Sequence, residues 1–392
     1  MRCLEDLLDM APDRYEVTVI GEEPWGNYNR IMLSPVLSGE KTIDDIMLHP
    51  HAWYSDKGIK FIADDPAVKV DRPRKVVYTE KGEKVDYDRL IIATGSSPFV
   101  PPVEGADLKG VISFRDIYDV NTMIKYCETK KNAVVIGGGL LGLEAAYGLK
   151  QRGMNVTVLH LMDRIMERQL DGRASRMLRQ SIEQKGINII TEANTEALIG
   201  KKGHVSQVRL KDDTVLDADL VVFAVGIRPN IALAQSAGLR CNRGVLVNDT
   251  MQTFDPSIYA VGECIEHRNQ TFGLVEPLWG QAFVCATHLA EHGSLTFKSP
   301  TVPTQLKVSG VDVFSAGNIE PKEDYEDIIL NDEKRQIYKR IIIQKDKVIG
   351  AVLFGDTEDG MWYAELIADQ TPIVSFRNKL LFGKDFAMKK AG

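Results

Sequence analysis

A chain of 392 residues is too long for one ordinary domain and long enough for two or three domains that each bury a core. Its formal net charge is -7, which argues against a nucleic-acid surface because phosphate binding needs clustered Lys and Arg. No apolar run approaches the roughly 18 to 20 residues of a membrane helix, so we expect no membrane contact. The first residues lack the basic start and apolar stretch of a signal peptide, which favours a cytoplasmic protein.

Cysteines and histidines give no sign of a metal or redox centre. The cysteines are far apart and show no C-x-x-C spacing, so we read each as a small buried apolar residue. Six histidines are expected on loop or helix surfaces, since only His49 and His51 have a metal-like spacing and no carboxylate cluster accompanies that pair. The side chains concerned are Cys3, Cys127, Cys241, Cys264 and Cys285, and His49, His51, His204, His267, His288 and His292.

In chain order, the first elements are a helix at residues 1–8 and a strand at 17–20 that is followed by acidic residues. Residues 87–98 then form an apolar strand that ends in small residues. A similar stretch, with the same strand, glycine and proline, recurs at 219–230 and contains Gly226. This internal repeat implies two related nucleotide-binding units.

The middle of the chain has the pattern of a dinucleotide-binding unit. We predict a strand at 133–136, a glycine turn at 137–142, a helix at 143–153 and a second strand at 155–160. A G-x-G-x-x-G sequence alone is a weak signal, but here the strand before it and the helix and strand after it are all present. The motif therefore predicts a dinucleotide-binding site.

Each glycine of this turn has a separate role. Gly137 permits the tight turn, Gly139 lets the pyrophosphate approach the backbone, and Gly142 lets the helix pack close to the strand. Leu140 and Leu141 lie between them at the N-terminus of the helix, which faces the phosphates.

The end of the second strand lacks the acid that would hold the ribose 2'-hydroxyl of NADH. His160 stands there instead, and Asp163 and Arg164 follow. His160 could contact the ribose and Arg164 or Arg168 could meet a 2'-phosphate, but both arginines could equally lie on a solvated helix face. The preference between NADH and NADPH stays open.

The last part of the chain is predicted to be a separate domain. Residues 293–303 read as a linker because they are polar and flanked by proline. Strands follow at 311–315, 337–343 and 348–355, and a helix at 357–369.

The order of four motifs carries a family resemblance. The A-T-G strand, the G-x-G-x-x-G unit, the V-G-I-R-P-N strand and the Y-A-V-G-E-C strand resemble the pyridine-nucleotide flavin reductases of glutathione reductase type. The stretches at 27–34, 139–144, 166–171 and 260–267 resemble the N-terminal part of assimilatory NAD(P)H nitrite reductase large subunits, and rubredoxin reductases are next nearest.

This resemblance implies the α/β class, with two nested doubly wound (Rossmann-like) nucleotide-binding domains plus a small C-terminal α+β domain. The expected FAD-binding domain comprises residues 1–113 and 237–295, and the NAD(P)-binding domain comprises 114–236. Residues 300–392 would form the α+β interface domain.

The resemblance also implies FAD and NAD(P)H as cofactors. Glu22 would bind the FAD adenosine ribose, with Glu23 or a plain turn role as alternatives, and Gly262 and Glu263 would approach the ribityl chain and pyrophosphate. Trp279 would run beside the isoalloxazine ring or, alternatively, pack in the core. The residues expected to bind a cofactor are Glu22, Arg30, Ser34, Ala93, Thr94, Gly95, Gly137, Gly139, Leu140, Leu141, Gly142, His160, Arg168, Gly226, Gly262, Glu263, Pro277, Leu278 and Trp279.

Relatives of this type begin with a strand and a glycine loop that holds the FAD pyrophosphate, whereas residues 1–8 here read as the helix that should follow them. The absent strand would be central in the sheet. We expect either that the true start lies upstream or that the chain is a variant with weak or lost FAD binding.

The leading hypothesis is an FAD-dependent NAD(P)H oxidoreductase that passes electrons to an iron-sulfur, rubredoxin-like or sirohaem partner in nitrite and nitrate assimilation. The chain lacks the clustered cysteines of the iron-sulfur and sirohaem domains, so it is not expected to reduce nitrite alone. No catalytic side chain is required, because hydride passes between the cofactors. The alternatives are an NADH oxidase, although residues 34–40 contain no cysteine, and a truncated non-catalytic nucleotide-binding chain. Assembly into a homo-oligomer is left open.

Overall fold

The computed structural model describes residues 1–293, 295–299, 303–308, 310–321 and 324–388, with the backbone alone at 305–308. By their internal contacts, the residues form two compact units. The first unit comprises Met1–Leu33, Lys41–Phe99 and Gly226–Pro300, and the second comprises Ser34–Glu40, Val100–Val225 and Thr301–Gly392. The second unit thus contains most of the predicted NAD(P)-binding domain together with the C-terminal domain, and the three-domain boundaries stay a prediction. Part of the predicted linker lies outside the described residues.

Both units combine helices with mostly short strands. The α-helices, in chain order, are α1 Arg2–Met10, α2 Leu33–Ser38, α3 His51–Asp56, α4 Ile117–Thr129, α5 Leu140–Gln151, α6 Gly172–Glu183, α7 Ala232–Ser236, α8 Val275–Leu289, α9 Gly360–Ala368 and α10 Lys384–Met388. Short 3-10 helices lie at Arg30–Met32, Asp44–Ile46 and Arg377–Phe382.

The β-strands, in chain order, are β1 Thr18–Ile20, β2 Asn27–Tyr28, β3 Met47–His49, β4 Lys60–Ile62, β5 Ala67–Asp71, β6 Val76–Thr79, β7 Lys84–Asp86, β8 Leu90–Ile92, β9 Ser96–Pro98, β10 Val111–Ser113, β11 Asn132–Ile136, β12 Asn155–Leu159, β13 Ile187–Ile190, β14 Thr195–Lys201, β15 His204–Leu210, β16 Val215–Asp217, β17 Leu220–Phe223, β18 Ile227–Pro229, β19 Val245–Leu246, β20 Ile258–Ala260, β21 Ile265–His267, β22 Gln270–Thr271, β23 Thr304–Val308, β24 Val311–Gly317, β25 Glu326–Asp332, β26 Ile337–Gln344 and β27 Lys347–Phe354.

In the first unit, the parallel strands form two separate pairs. β1 pairs with β4, and β8 pairs with β20. Within the described part of the chain, no ladder joins the two pairs into one sheet. The predicted N-terminal helix is present as α1, which packs against α8 through the buried residues Cys3 and Leu7.

The carboxyl ends of the two repeated stretches meet in the first unit. β9, from the earlier copy, pairs antiparallel with β18, from the later copy. Asn230 joins the copies further: its backbone N–H donates to the carbonyl oxygen of Gly95 (2.9 Å), its Nδ2 donates to that of Thr94 (2.9 Å), and its Oδ1 accepts from Ser97 Oγ (2.6 Å). The internal repeat therefore builds one local structure from two distant segments.

The second unit contains a parallel sheet of five strands in the order β10-β17-β11-β12-β13. α5 connects β11 to β12, and α6 connects β12 to β13. β11 is buried on both faces, as expected for a central parallel strand, and Val135 is fully buried. The carboxyl ends of β11 and β12 lie side by side, which brings the glycine turn next to residue 160.

The C-terminal segment of the second unit is an antiparallel sheet in the order β23-β24-β27-β26-β25. α9 packs on β24 and β27, and Trp362 and Tyr363 fill the core between them. The predicted strands and helix are all present, which gives this domain the predicted α+β character. β23 and β25 were not predicted.

A buried polar network fastens this sheet to α6. Asp171 Oδ1 caps the helix by accepting from the backbone N–H groups of Arg173 (2.9 Å) and Ala174 (3.0 Å). Asp171 Oδ2 accepts from the Tyr338 hydroxyl (2.9 Å) and from Arg340 (3.4 Å), both on β26. Burial, with the Asp171 carboxylate beside it, raises the pKa of Tyr338 above its ordinary value. The hydroxyl therefore stays a donor at neutral pH.

Among the residues that the structure describes, no helix combines the length and the apolar character that crossing a membrane requires.

Candidate nucleotide-binding site

The glycine turn after β11 has the close contacts that its sequence predicts. Gly137 has φ of 126°, where only glycine is unstrained, and a Cβ there would overlap the carbonyl oxygen of Ala224. A Cβ on Gly142 would overlap the carbonyl oxygen of Gly137. Beside Gly139, no described atom lies within 4 Å of the place of a Cβ, so there is open space in front of the turn.

This open space is at the N-terminus of α5. Gly139 is the N-cap and provides no side-chain bond, so the first amides of the helix remain available to an anion. Leu140 is half-buried and Leu141 is exposed at the start of the helix. The arrangement fits a dinucleotide pyrophosphate.

His160 is fixed in place by a hydrogen bond from the glycine turn. Its Nδ1 accepts from the backbone N–H of Gly138 (3.0 Å), so its Nε2 carries the hydrogen and donates to Glu167 Oε2 (3.0 Å). The imidazole is buried. Its two ring nitrogens are therefore already engaged, and its direct contact with a ribose stays a prediction.

The two arginines beyond β12 differ. Arg164 pairs with Glu320 and lies 3.6 Å from Asp163, so its charge is balanced. Arg168 is exposed and has no hydrogen-bond or ion-pair partner in the part of the chain that the structure describes. Of the two, Arg168 is the one free to meet a ligand.

Glu144 was missed by the sequence analysis. It follows Gly142 by two residues on α5, and its Oε2 accepts from the Ser34 hydroxyl (2.6 Å). Burial raises the pKa of the Glu144 carboxyl, and the bond from Ser34 partly offsets that effect. Ser34, expected near the flavin, thus lies against the dinucleotide helix. The signal in the sequence was an acid in an otherwise apolar helix face.

In the first unit, Gly262 forms an open cradle at the end of β20. It has φ of 95°, no described atom lies within 4 Å of the place of a Cβ, and its N–H donates to Gln281 Oε1 (2.8 Å). Gln281 is fully buried on α8, and its Nε2 has no partner among the described residues. Next to this turn, Glu263 accepts from Ser96 Oγ (2.6 Å). These polar groups lie where the family resemblance predicts the flavin ribityl chain, and that contact stays a prediction.

The end of β8 is similarly shaped by backbone geometry. Thr94 donates its hydroxyl to the carbonyl oxygen of Asn230 (2.7 Å), Gly95 has φ of 64°, and Ala93 is exposed beside them. Gly226 has φ of 121° and open space where a Cβ would be, and its carbonyl oxygen accepts from the backbone of Phe99 (2.9 Å). These positions leave the backbone accessible to a ligand.

The acids after β1 have different environments. Glu22 is exposed, whereas Glu23 accepts from the Tyr28 hydroxyl (2.7 Å) and pairs with Arg30 (2.7 Å). The Arg30 guanidinium also lies 5.1 Å from the centre of the Tyr28 ring. Glu22 is thus the acid left available, and its contact with a ribose stays a prediction.

Three predicted flavin neighbours lie on α8. Pro277 is buried and Leu278 is half-buried. Trp279 exposes 57% of its surface, and Phe283, one turn later, is exposed too. The alternative that Trp279 simply packs in the core is therefore wrong. Exposed aromatic surface of this size fits an aromatic ligand or partner.

Of the five thiols, those of Cys3, Cys264 and Cys285 are buried as predicted, whereas those of Cys127 and Cys241 are only half-buried. Cys3 and Cys285, 282 residues apart, meet where α1 packs on α8, and the bond between them, with burial, holds the pKa of the Cys285 thiol well above its usual range. Cys264, two residues after Gly262, is buried and donates to the carbonyl oxygen of Val261 (3.3 Å), and burial raises its pKa too. Neither Cys264 nor Cys285 forms a thiolate at neutral pH.

The expectation that all six histidines lie on the surface was wrong for two of them. His49, on β3, is buried between Asn27 and Glu5, and His267, on β21, is buried against Asp249 (2.8 Å). A carboxylate bonds to Nε2 of each imidazole, which sequence spacing could not show, whereas Nδ1 of His267 has no partner among the described residues. In the described part of the chain, no group of three or more His, Cys, Asp or Glu residues is arranged to hold a metal ion.

Two family models match the chain. The pyridine nucleotide-disulphide oxidoreductase model matches residues 3–282, and the model of the rubredoxin NAD+ reductase C-terminal domain matches residues 303–371. The chain belongs to the pyridine nucleotide-disulphide oxidoreductase family. The family depends on FAD and NAD(P)H, so the predicted cofactors are confirmed. The predicted fold class is confirmed as well.

Relatives within this family include several reductases of nitrogen metabolism. The chain is 46% identical to "Nitrite reductase [NAD(P)H]" of Bacillus subtilis, covering 95% of this chain and 46% of the relative. It is 41% identical to "Assimilatory nitrate reductase electron transfer subunit" of the same organism, covering 97% of this chain and 49% of the relative. The chain spans about half the length of these curated relatives.

Among solved structures of this kind, NADH:rubredoxin oxidoreductase from Clostridium acetobutylicum has a TM-score of 0.81 and 28% identity, covering 97% of both chains. The NAD-dependent persulfide reductase from A. fulgidus has a TM-score of 0.87 and 27% identity, covering 96% of this chain and 76% of that one. The resemblance predicted from the motifs is confirmed.

The residues present fit both cofactors. The turn at Gly137 to Gly142 provides the backbone amides and the space that a pyrophosphate requires. In the first unit, the Gly262 cradle, the unpartnered Gln281 amide and the exposed Trp279 ring are features that a bound flavin would use.

Alanine substitutions in the glycine turn should separate binding from folding. Gly139→Ala adds a methyl group in open space with φ of -83°, so stability should stay near that of the parent while NADH affinity falls by about tenfold or more. Gly142→Ala forces α5 away from β11 and should cost about 1–3 kcal/mol of stability. Thermal unfolding and equilibrium NADH binding measure the two effects. Equal stability losses in both variants would contradict this account of the turn.

The raised pKa of Glu144 predicts a stability difference that depends on pH. The folded state binds this proton more tightly than the unfolded chain, so stability from this group is fully present at low pH and is lost as the pH rises through the raised pKa of the folded state. The thermal midpoint of Glu144→Gln, relative to that of the parent, should therefore rise between about pH 5 and about pH 8. Glu276→Gln, an exposed acid on α8, is the control and should show no such trend. A Glu144→Gln difference that stays constant with pH would refute the argument.

Proposed function

We propose that the chain takes hydride from NAD(P)H through FAD and passes electrons to a redox partner that carries an iron-sulfur, rubredoxin-like or sirohaem centre, in nitrite or nitrate assimilation. The observation that carries this proposal is that the chain has both a dinucleotide turn, in the second unit, and an inert thiol next to the Gly262 cradle, in the first unit. Cys264 is buried and bonded to backbone carbonyls, so it cannot relay electrons as a thiolate.

For hydride transfer between the two cofactors, the protein needs only to position them and to provide charged groups near them. Flavin, when bound, accepts hydride and can release electrons one at a time. The amides at the start of α5 would hold the dinucleotide pyrophosphate, and Glu144 would present a neutral or charged carboxyl beside it. In the first unit, the Gly262 turn would let a ligand approach the backbone, and Glu263, fixed by Ser96, would accept from a ribityl hydroxyl.

The names of the relatives support the choice of partner. One relative is an electron transfer subunit of assimilatory nitrate reductase, matched over 97% of this chain. The exposed Trp279 and Phe283 on α8 offer aromatic surface beside the proposed flavin position, which suits a docking partner with a solvent-accessible redox centre. We propose a cytoplasmic setting, where NAD(P)H is available, and we leave a homo-oligomer open.

An anaerobic stopped-flow experiment distinguishes the acceptors. The purified chain is loaded with FAD, reduced with one equivalent of NADH, and mixed either with oxidised rubredoxin or with air-saturated buffer. Because one reduced flavin holds two electrons, we expect it to reduce two rubredoxin irons, and to do so at least about tenfold faster than it reacts with oxygen. The control is a mixture of rubredoxin and NADH without the FAD-loaded chain.

Faster reoxidation by oxygen than by rubredoxin would instead support the NADH oxidase hypothesis. Failure of NADH to bleach the FAD-loaded protein would support the non-catalytic hypothesis.

A further inference from the structure

The loop that follows β12 is folded back onto the glycine turn. The backbone N–H of Met166 donates to the carbonyl oxygen of Gly138 (3.0 Å), and the backbone N–H of Gly138 donates to His160 Nδ1 (3.0 Å). Ser175 Oγ donates to the carbonyl oxygen of Ile165 (2.8 Å), and the side chain of Ile165 is buried. The loop is thus held by the same turn that receives the dinucleotide.

The loop places one carboxylate in a defined position. Because Nδ1 of His160 accepts a hydrogen bond, Nε2 must be the donor, and it donates to Glu167 Oε2 at 3.0 Å. The Glu167 side chain keeps 25% of its surface exposed, so its second oxygen can still accept from a ligand. The imidazole therefore lies between the glycine turn and Glu167, and it fixes the position of the Glu167 carboxylate near the end of β12.

The surroundings of Glu167 favour an uncharged ribose over a phosphate. A 2'-hydroxyl donates to a carboxylate, whereas a 2'-phosphate is repelled by it. Arg164, in the same loop, does not reverse this balance, since it is paired with Glu320 and Asp163. Arg168 is exposed and is held by no described side chain, so it offers no preorganised phosphate site.

Apolar surface follows His160 in the same loop. Leu161 and Met162 follow His160 directly, and they expose 61% and 47% of their surfaces. The backbone N–H of Glu192 donates to the carbonyl oxygen of Met162 (3.0 Å), which fixes this part of the loop. An adenine ring next to the ribose would cover such surface.

We propose that Glu167, positioned by His160, replaces the missing acid at the end of β12 and makes the chain prefer NADH to NADPH. This inference rests on the proposed use of NAD(P)H. It assigns the choice between the two nucleotides to a residue seven positions beyond the usual one, and it assigns His160 a positioning role.

The test is equilibrium binding of NADH and of NADPH to the purified full chain by isothermal titration calorimetry, which does not depend on turnover. We expect the parent to bind NADH at least about tenfold more tightly than NADPH, since a bond to a charged acceptor has this order of effect. Glu167→Gln keeps the size of the side chain and should bring the two affinities to within about threefold of each other, mainly by weakening NADH. Glu192→Gln, an exposed acid whose backbone N–H contacts the same loop, is the matched control and should leave the ratio unchanged.

Arg168→Gln tests the opposite assignment. If Glu167 determines the preference for NADH, this variant should keep the ratio of NADH to NADPH affinity of the parent. A parent that binds NADPH more tightly, and loses that preference in Arg168→Gln, would overturn the inference. A Glu167→Gln variant that keeps the affinity ratio of the parent would also overturn the inference, but it would not contradict the proposed use of NAD(P)H. Failure of both nucleotides to bind the folded parent would overturn the inference and the proposed function together.

Discussion

The close approach of α5 to β11 is the contact on which the nucleotide site depends. The carbonyl oxygen of Gly137 lies where a Cβ of residue 142 would be, so only glycine lets the helix begin at this point. Because the helix begins there, its free amides face open space at Gly139. The same turn directs the N–H of Gly138 sideways to His160, and the loop after β12 takes its position from that bond.

The first unit uses a different construction for the same purpose. The A-T-G-S-S-P and V-G-I-R-P-N segments are held together by one β ladder and by Asn230, and the Gly262 turn is bonded to Gln281 on α8. Positive φ angles at Gly95, Gly226 and Gly262 bring bare backbone to the surface. Such backbone is what a large polar cofactor can approach, and the thiol of Cys264 just beyond it is kept buried and protonated.

The parts of the fold that could be predicted are those encoded by local periodicity. The glycine spacing and the apolar runs beside it located β11, α5 and β12 within a few residues, because the close contacts of the turn require glycine at fixed positions. Contacts between distant segments could not be predicted this way. The meeting of Cys3 with Cys285, the bond from Ser34 to Glu144 and the burial of His267 arise from packing between elements that are far apart in sequence. β25 was missed since its residues alternate between half-buried and exposed, without a strong apolar signal.

The central claim is that this chain accepts hydride from NADH through a flavin, and an anaerobic titration tests it most directly. The purified chain is incubated with FAD, freed of unbound cofactor by gel filtration, and titrated with NADH while the visible flavin absorption is recorded. The account predicts that flavin stays with the protein and that its absorption bleaches fully with one equivalent of NADH. Flavin that is retained but stays oxidised in excess NADH, or protein that retains none while it remains folded, would contradict it.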